Sequence, residues 1–269
     1  MNLRGKNILI TGGAGGIGAA MASRFVAEGA AGIGIADLDG NAATSFAATL
    51  SLGDRSGLNI WAYQVDVGDA DRIQTMVEEF ERDVGPIDLM CSNAGVYQTA
   101  GSKASDLNWE INWTINVMSH VRVVRAVLPR LLRRRTGYLL MTCSGAGLLA
   151  NLDAPYMVTK HAAVAFAEWL AIKYRLEGIG VSALCPLGVR TPLVSRAMHQ
   201  DAAAVAGVLA GGDLIEPEQV ADCVVEGLAA EEFLILPHAQ VRERLMLKAR
   251  DRDSWIRSMQ RQYGIEDRH

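Results

Sequence analysis

The sequence predicts an α/β protein with a doubly wound, mostly parallel sheet of seven strands and helices on both faces. Short β-branched runs alternate with longer helical stretches along the whole chain, and this alternation is typical of right-handed βαβ units. The strand runs are apolar without polar alternation, as in a sheet covered on both faces. At 269 residues, the chain suits one large catalytic domain over residues 1–269 better than two small ones.

The elements follow one another in regular order. The first strand, KNILIT, runs directly into a glycine-rich turn and a helix, and the second is followed by an alanine-rich helical stretch. The short apolar runs predict strands over residues 6–11, 31–37, 60–67, 87–95, 137–145, 180–186 and 233–237. The longer stretches between the first six predict helices over residues 16–29, 40–50, 69–84, 106–135 and 154–177.

Two later segments have a different character. Residues 191–215 are rich in small and apolar residues and contain the pair Gly211-Gly212, which suits either a substrate lid closing on a glycine hinge or a pair of surface helices. Residues 238–269 form a C-terminal extension in which apolar residues recur at helical spacing among many arginines. We expect an amphipathic helix that docks on its own domain or on a partner subunit, through Val241, Leu245, Met246, Trp255, Ile256 and Met259.

Charge and composition exclude several classes of protein. The net charge is -4, whereas nucleic-acid-binding proteins carry a basic excess, so Arg133 to Arg135 indicate a solvated helix end rather than a phosphate-binding patch. The four cysteines are widely separated and His120 and His199 are isolated, which suggests neither disulfides nor a metal site. Without a signal peptide or a membrane-spanning stretch, we expect a cytoplasmic protein that binds neither nucleic acid nor membrane.

The turn TGGAGGIG at residues 11–18 predicts a phosphate-binding site of the Rossmann type. It follows a strand and opens a helix, where glycines let a pyrophosphate approach the helix N-terminus. Two registers fit: Gly13, Gly15 and Gly18 match G-x-G-x-x-G, and Gly12, Gly16 and Gly18 match T-G-x-x-x-G-x-G. Asp37 ends the second strand, where a carboxylate binds ribose hydroxyls and repels a 2′-phosphate, and Leu38 rather than arginine follows it. The predicted cofactor is therefore NAD.

Taken together, these motifs resemble those of the short-chain dehydrogenase/reductase family over nearly the whole chain. The resemblance rests on the glycine turn, on Asp66-Val67 after strand three and Asn93-Ala94-Gly95 after strand four, and on Asn116, Ser144 and the Y-x-x-x-K pair Tyr156 and Lys160. It implies a cofactor site that comprises Gly12, Gly15, Gly16, Ile17, Gly18, Asp37, Leu38, Asp66, Val67, Asn93, Ala94, Gly95, Tyr156, Lys160, Pro186, Val189 and Thr191.

The chain departs from the family pattern at two points. Ser144 precedes Tyr156 by only twelve residues, so the loop between them is short. After strand six the family usually has Pro-Gly, whereas here Leu187 follows Pro186 and Gly188 comes next. The threonine that would hold the nicotinamide carboxamide still falls at Thr191.

The resemblance also implies the catalytic roles. Tyr156 would be the acid–base catalyst, Lys160 would lower its pKa and hold the nicotinamide ribose, Ser144 would bind the substrate oxygen, and Asn116 would hold a water beside Lys160. Moving a tyrosine pKa from about 10 to about 7 requires roughly 4 kcal/mol, and a charge about 4 Å away supplies that only at an effective dielectric near 20. Taken singly, each residue also suits a structural role, and we interpret His161 as structural because it faces about 100° away on the helix.

The expected substrate side is apolar. The candidate wall residues besides Ser144 and Tyr156 are Val96, Tyr97, Leu149, Leu152, Gly188, Val189, Val194 and Met198. They favour a hydrophobic or aromatic secondary alcohol, or its ketone, as the substrate of an NAD-dependent oxidoreductase. The alternatives are a carbonyl or 3-oxoacyl reductase using NAD(P)H and a non-catalytic nucleotide-sensing protein. The resemblance further implies a homodimer or homotetramer built through the helices that carry Asn116 and Tyr156.

Overall fold

The strands form a single twisted layer whose order reverses at its centre. A computed structural model describes residues 1–53, 58–98, 103–150, 153–200 and 212–264. Within these residues, β1 to β7 are Asn7–Thr11, Gly32–Asp37, Asn59–Gln64, Leu89–Ser92, Gly137–Thr142, Ile179–Leu184 and Leu234–Ile235. They pair in the order β3-β2-β1-β4-β5-β6-β7, and every pairing is parallel. The chain therefore leaves β1 and β4 in opposite directions, which opens a crevice at their carboxyl ends.

Helices cover both faces of this sheet. In chain order, the described helices α1 to α10 are Gly16–Ala27, Gly40–Gly53, Ala70–Asp83, Asp106–Trp113, Ser119–Arg134, Ala154–Tyr174, Pro192–Gln200, Pro217–Ala229, Gln240–Arg250 and Arg252–Gln262. Several begin at polar caps that the sequence supplies: Asp69 accepts two backbone N–H bonds at the start of α3, and Asp153 accepts one from Tyr156 at the start of α6.

The core consists of one apolar layer on each face of the sheet. Along β1, Leu9 packs on one face with Phe80, while Ile8 and Ile10 pack on the other with Phe25, as the two-residue period of a strand requires. Since both faces are covered by helices, both sets are fully buried. This explains why the central strand runs are apolar without alternation, whereas the edge strand β3 alternates between exposed and less exposed residues. The predicted fold class is confirmed.

Two of the predicted strands end earlier than the apolar runs indicated. The fourth strand ends at Ser92 and the fifth at Thr142, whereas the apolar runs predicted Gly95 and Gly145. Beyond these points the backbone leaves the ladder to form the turns of the site described below. The helix predicted over residues 106–135 is interrupted by one π turn, Thr114–Met118, between α4 and α5.

The C-terminal extension is two helices rather than one. They meet at Asp251, which has extended φ and ψ angles and accepts a hydrogen bond from the N–H of Ser254. Val241 and Trp255 are buried in the core of this chain, so the extension docks on its own domain. Met246 and Ile256, predicted to be part of the docking stripe, are 62% and 49% exposed, because each follows an inward-facing residue, Leu245 or Trp255, by one position and so points about 100° away on its helix.

Only the start of the segment 191–215 is described as a helix, α7. Residues 201–211, including Gly211, lie outside the described residues, so the choice between a lid and a helix pair stays open. Val189 and Ile215 form an isolated parallel bridge that closes the base of this segment. Arg134 pairs with Glu81 and Arg135 with Glu177, which agrees with a helix end rather than a phosphate patch.

Three further expectations concern membrane-spanning helices, metal sites and disulfides. Among the described residues, no helix is long and apolar enough to cross a membrane. The same part of the chain contains no group of three or more side chains arranged to hold a metal ion. All four cysteines are free thiols.

Candidate active site

The glycine-rich turn lies where β1 passes into α1, at the crevice between β1 and β4. Gly12 and Gly16 have φ angles of 62° and 51°, which favour glycine over residues with a side chain. A Cβ on Gly18 would lie 2.1 Å from the Gly12 oxygen. The first turn of α1 has no side-chain cap, and nothing lies within 4 Å of a Cβ placed on Gly15. Free N–H groups facing open space suit a pyrophosphate, so these residues fit a dinucleotide.

Asp37 ends β2 beside this turn. Its Oδ2 accepts a hydrogen bond from the N–H of Ala14 at 3.1 Å, and its Oδ1 accepts one from the N–H of Asp39 at 3.3 Å. Asp39, in contrast, caps α2 by accepting bonds from Asn41 and Ala42. The two acids thus have separate roles, and Asp37 is oriented toward the phosphate turn. Leu38 is 66% exposed.

Asn93 joins the ends of three central strands. Its Nδ2 donates to the backbone oxygens of Thr11 and Gly12 at 3.0 Å, and its Oδ1 accepts from the hydroxyl of Thr142 at 2.9 Å. The N–H groups of Asn93 and Ala94 in turn donate to the hydroxyl of Thr11. This network holds the floor of the crevice and makes Asn93 a positioning residue. The bonding role of Thr142 was missed, although its place at the end of a central strand could have indicated it.

The remaining predicted cofactor residues lie on the loops after β3 and β6. Asp66 accepts a hydrogen bond from the N–H of Gly68 at 2.7 Å, and Val67 beside it is buried. Thr191 accepts a bond from the N–H of Val194, at the start of α7. A Cβ on Gly16 would lie 3.0 Å from Thr191 Cγ2, so the end of the β6 loop meets the phosphate turn. Pro186 is buried in the loop after β6, Val189 belongs to the second apolar layer, and Ile17 packs against that layer.

Leu187 stands where the family usually has glycine, and Gly145 leaves the space for its side chain. A Cβ on Gly145 would lie 2.4 Å from Leu187 Cδ2, so the leucine side chain occupies the space that the glycine leaves. The N–H of Gly145 donates to the Pro186 oxygen at 2.7 Å, and the N–H of Leu187 donates to Nδ1 of His238 at 3.2 Å. The loop after β6 is therefore held by the loop after β5. Gly188 bonds through its oxygen to the N–H of Ile215.

Asn116 sits in the π turn between α4 and α5. Its side chain is fully buried: Oδ1 accepts from the N–H of Val96 at 2.9 Å, and Nδ2 donates to the Val96 oxygen at 3.0 Å. Its Nδ2 also lies 3.1 Å from Asn112 Oδ1. A Cβ placed on Gly95 would approach both Asn116 Oδ1, at 3.3 Å, and Lys160 Nζ, at 3.4 Å. The structure thus brings Asn116 and Lys160 to the same point of the crevice.

Tyr156 and Lys160 lie one turn apart on α6. Lys160 is 3% exposed; its Nζ donates to the Thr142 oxygen at 3.2 Å and lies 5.7 Å from the centroid of the Tyr156 ring. Burial lowers the pKa of Lys160. Ser144, at the start of the short 3-10 turn Gly145–Gly147, accepts a bond from the N–H of Ala146 at 3.0 Å and hydrogen-bonds Tyr156.

The pKa of Tyr156 differs from the sequence-based expectation. Burial raises it to about 12, and the hydrogen bond with Ser144 only partly opposes that rise. Desolvation of the phenolate acts in the direction opposite to a nearby lysine charge, and no local sequence pattern reports it. In the chain by itself, Tyr156 is therefore held as the phenol.

Part of the predicted substrate wall forms an apolar cluster around Tyr156. The Tyr97 ring lies 4.2 Å from the Tyr156 ring, and Val96 is held beside it by Asn116. Other members come from α7 and the segment after it: Leu193, Val194, Ala197, Met198 and Leu214. Leu193, Ala197 and Leu214 were not predicted, although the i, i+4 spacing from Leu193 to Ala197 could have indicated the first two.

The predicted wall residues Leu149 and Leu152 are considered apart from this cluster, for different reasons. The Leu149 side chain is 4% exposed and packs in the first apolar layer, not in the cluster around Tyr156, and its contact with a substrate stays a prediction. Leu149 follows the short 3-10 turn, which directs its side chain inward. Leu152 lies outside the described residues.

A cavity of about 500 Å³ lies at the other end of the strands. It is lined by the starts of β5 and β6, including Gly137, Ile179 and Gly180, whereas Ser144 and Thr191 follow the carboxyl ends. In open parallel sheets, ligands bind at the carboxyl ends, so the crevice and not this cavity is the candidate active site.

Fold and site together define an oxidoreductase built on a dinucleotide-binding fold. The family model described as short chain dehydrogenase matches residues 6–202. The chain therefore belongs to the short-chain dehydrogenase/reductase family, whose members are dehydrogenases and reductases.

Individual relatives match this chain over most of the length of both proteins. The 1-deoxy-11-beta-hydroxypentalenate dehydrogenase of Streptomyces exfoliatus is 34% identical, over 91% of this chain and 87% of the relative. A short-chain dehydrogenase/reductase from Burkholderia phymatum, solved with NAD, has a TM-score of 0.83 at 26% identity and covers 94% of this chain and 96% of its own. A short-chain dehydrogenase from Sphingobium yanoikuyae, solved with NADPH, has a TM-score of 0.77 at 26% identity and covers 91% and 93%.

Proposed function

We propose that this protein is an NAD-dependent dehydrogenase that interconverts a hydrophobic or aromatic secondary alcohol and its ketone. The observation that carries the proposal is the pair of partly buried Tyr156 and buried Lys160, with Ser144 beside the tyrosine, at the crevice that the glycine turn opens. When bound, the nicotinamide supplies the hydride acceptor or donor. The chain itself supplies binding, orientation and the proton.

The proton is handled at the Tyr156 oxygen. In the oxidation direction this oxygen accepts the proton of the substrate hydroxyl, and in the reduction direction it donates a proton to the developing alkoxide. Ser144 holds the substrate oxygen in place through its hydroxyl hydrogen. Lys160 stabilises the phenolate by its charge, with Asn116 fixing the backbone beside it. Since Lys160 is buried, its charge is little screened by water.

NAD rather than NADP is supported by Asp37. A carboxylate at this position accepts hydrogen bonds from the ribose hydroxyls and repels a 2′-phosphate, and the exposed residue that follows is a leucine instead of a cation. Structures similar to this chain hold NAD in one case and NADPH in another, so the proposal rests on the acid and its neighbour.

An apolar substrate is supported by the cluster around Tyr156. The members of this cluster, which include Tyr97, Val194 and Met198, are apolar or aromatic, and a pocket of this kind favours a hydrophobic or aromatic ligand over a sugar phosphate. The name of the Streptomyces exfoliatus relative describes the dehydrogenation of a hydroxylated compound, which is consistent with a secondary alcohol.

A ketone reductase is the second candidate, favoured by one observation. Burial raises the pKa of Tyr156 to about 12, so the phenol, which donates the proton in reduction, is the form that the chain prefers. Oxidation near pH 7 would require about five pKa units of additional stabilisation of the phenolate, or about 7 kcal/mol. This protonation state favours reduction at the same site with the same residues.

The test of the proposed chemistry is Tyr156→Phe, assayed with a panel of secondary alcohols and ketones by nicotinamide absorbance. Because the phenylalanine keeps the ring and removes only the hydroxyl, we expect NAD binding to stay within about twofold and turnover to fall by at least about a hundredfold. Tyr63→Phe is the matched control, since the Tyr63 hydroxyl is buried without a hydrogen-bond partner among the described residues and lies on β3. Substantial activity in Tyr156→Phe would refute the mechanism.

The cofactor is tested by comparing the dissociation constants of NAD and NADP, and then those of the Asp37→Ser, Leu38→Arg double variant. We expect the wild type to bind NAD more tightly and the variant to favour NADP, because an arginine complements the 2′-phosphate. Tighter NADP binding by the wild type would overturn the role given to Asp37.

A further inference from the structure

The C-terminal extension sends a lysine into the protein next to the loop that follows Ser144. Lys248, on α9, is 8% exposed although its side chain ends in an ammonium group. Its Nζ donates to the backbone oxygens of Leu148, at 2.6 Å, and Leu149, at 2.7 Å. These are short, charge-assisted hydrogen bonds, and they join residues about a hundred positions apart in the chain.

The third partner of Lys248 is His161, the residue after Lys160. Nδ1 of His161 lies 2.9 Å from the Met157 oxygen; an oxygen only accepts, so Nδ1 carries the hydrogen. Nε2 is then the free acceptor, and it lies 3.1 Å from Lys248 Nζ. Burial lowers the pKa of both His161 and Lys248. All three groups that bind the ammonium are neutral acceptors.

A second side chain of the extension holds the next residue of the same loop. The hydroxyl of Tyr263, just after α10, donates to the Ala150 oxygen at 3.2 Å. On the inner side, the N–H groups of Leu148 and Leu149 donate to the Gly145 oxygen at 3.1 Å and 2.9 Å. Three consecutive carbonyl groups, at residues 148–150, are thus bound from the extension, while the amides of two of them are bound to the turn that Ser144 opens.

We propose that Lys248 is a positioning residue for the substrate side of the active site, which it controls by fixing the backbone of residues 148–150. This segment follows Ser144 in the chain and leads toward Tyr156. Its path therefore sets how far the loop lies from the Ser144 hydroxyl, the group that holds the substrate oxygen in the proposed function. The inference rests on the proposed function for its catalytic consequence. The fixing of the segment itself does not depend on which substrate is bound.

The alternative is that Lys248 only anchors α9 to the domain. Removing it would then loosen the extension as a whole, without a specific effect on the loop. Three variants of the full chain separate these cases. Lys248→Met removes the ammonium and keeps an unbranched apolar chain, and Lys248→Arg keeps the charge. Arg250→Met removes an exposed cation from the end of the same helix and serves as the control.

The first measurement is amide hydrogen exchange, which needs no substrate. In Lys248→Met we expect exchange at residues 148–150 to accelerate at least about tenfold relative to the sheet, since a hydrogen bond to a charged group contributes at least the 1.4 kcal/mol that corresponds to a factor of ten. Lys248→Arg should retain part of the protection and Arg250→Met all of it. Unchanged exchange in Lys248→Met, or acceleration spread evenly over the chain, overturns the proposal.

The second measurement is the kinetics of the best substrate from the alcohol and ketone panel. We expect Lys248→Met to raise KM about tenfold, with NAD affinity within about twofold of the wild type because the glycine turn is not involved. Local acceleration of exchange without a change in KM or kcat would refute the catalytic consequence. If the wild type turns over none of the compounds, the proposed function is contradicted, and the exchange experiment still decides whether Lys248 fixes the segment.

Discussion

Acid should destabilise this protein through His120, a buried imidazole on α5 that contacts Ser92 at the end of β4. His120 is fully buried, and its Nδ1 lies 2.7 Å from the hydroxyl of Ser92. Burial, together with the positive charge of Lys160, lowers the pKa of His120 from 6.5 to about 3. The folded protein therefore keeps this ring neutral well into the acid range, whereas the unfolded chain protonates it near pH 6.5.

The sign and size of the effect follow from this difference. Because the folded-state pKa is the lower one, the unfolded chain binds the proton first, so stability is fully present above about pH 6.5 and is lost as the pH falls toward about 3. Each unit of pKa difference corresponds to 1.36 kcal/mol. Between about pH 7 and about pH 4, His120 alone should lower the free energy of unfolding by about 3 kcal/mol, a large part of the stability of an ordinary domain.

The assay is urea unfolding of the wild type and of His120→Gln at about pH 7 and about pH 4. Glutamine keeps a hydrogen-bonding group for Ser92 and does not titrate in this range. Other groups titrate alike in both proteins, so the comparison isolates His120. We expect the wild type to lose about 3 kcal/mol more than the variant. Equal losses in the two proteins would refute the assignment of a neutral, buried imidazole.

Two further predictions concern the glycine turn and the assembly. Gly18→Ala should lower the free energy of unfolding by about 1–3 kcal/mol and weaken NAD binding, because its Cβ would lie 2.1 Å from a backbone oxygen of the turn. Gly15→Ala, with open space at its Cβ, should keep the urea midpoint of the wild type, and equal midpoints for all three proteins would contradict the close packing. We also propose a homodimer or homotetramer that uses α6, where Trp169 and Ile172 are 51% and 77% exposed. Replacing both with glutamate should yield a monomer by light scattering, whereas Leu52→Glu on α2 should not. A wild-type monomer would exclude this interface.

The part of the fold that could be predicted is the part that local sequence encodes. Apolar runs locate the strands because helices cover both faces of most of the sheet, although the edge strand β3 alternates in exposure, and the order of strands and helices implies parallel pairing. Strand ends were less predictable. The runs through Asn93 and Ser144 continue in the sequence after the ladder has ended, since Asn93 bonds across the crevice to Thr11 and Ser144 caps the 3-10 turn that follows it.

The candidate site shows the same division. Tyr156 and Lys160 could be paired from their spacing because a helix places such residues on one face. The inward turn of Leu149, the contacts of α7 with Tyr97 and the interruption of the long helix at Asn116 could not be predicted. Each of these depends on which distant segment packs against the residue.

By itself, the sequence determined the glycine turn, the acid at the end of β2 and the order of the candidate catalytic side chains. Those features depend on the backbone conformations and helical periodicity that neighbouring residues impose. Only the tertiary structure decided that burial raises the pKa of Tyr156, and that Lys248 binds the loop after Ser144 from the far end of the chain. Desolvation and long-range hydrogen bonds exist only once distant segments enclose a group, so no local pattern reports them.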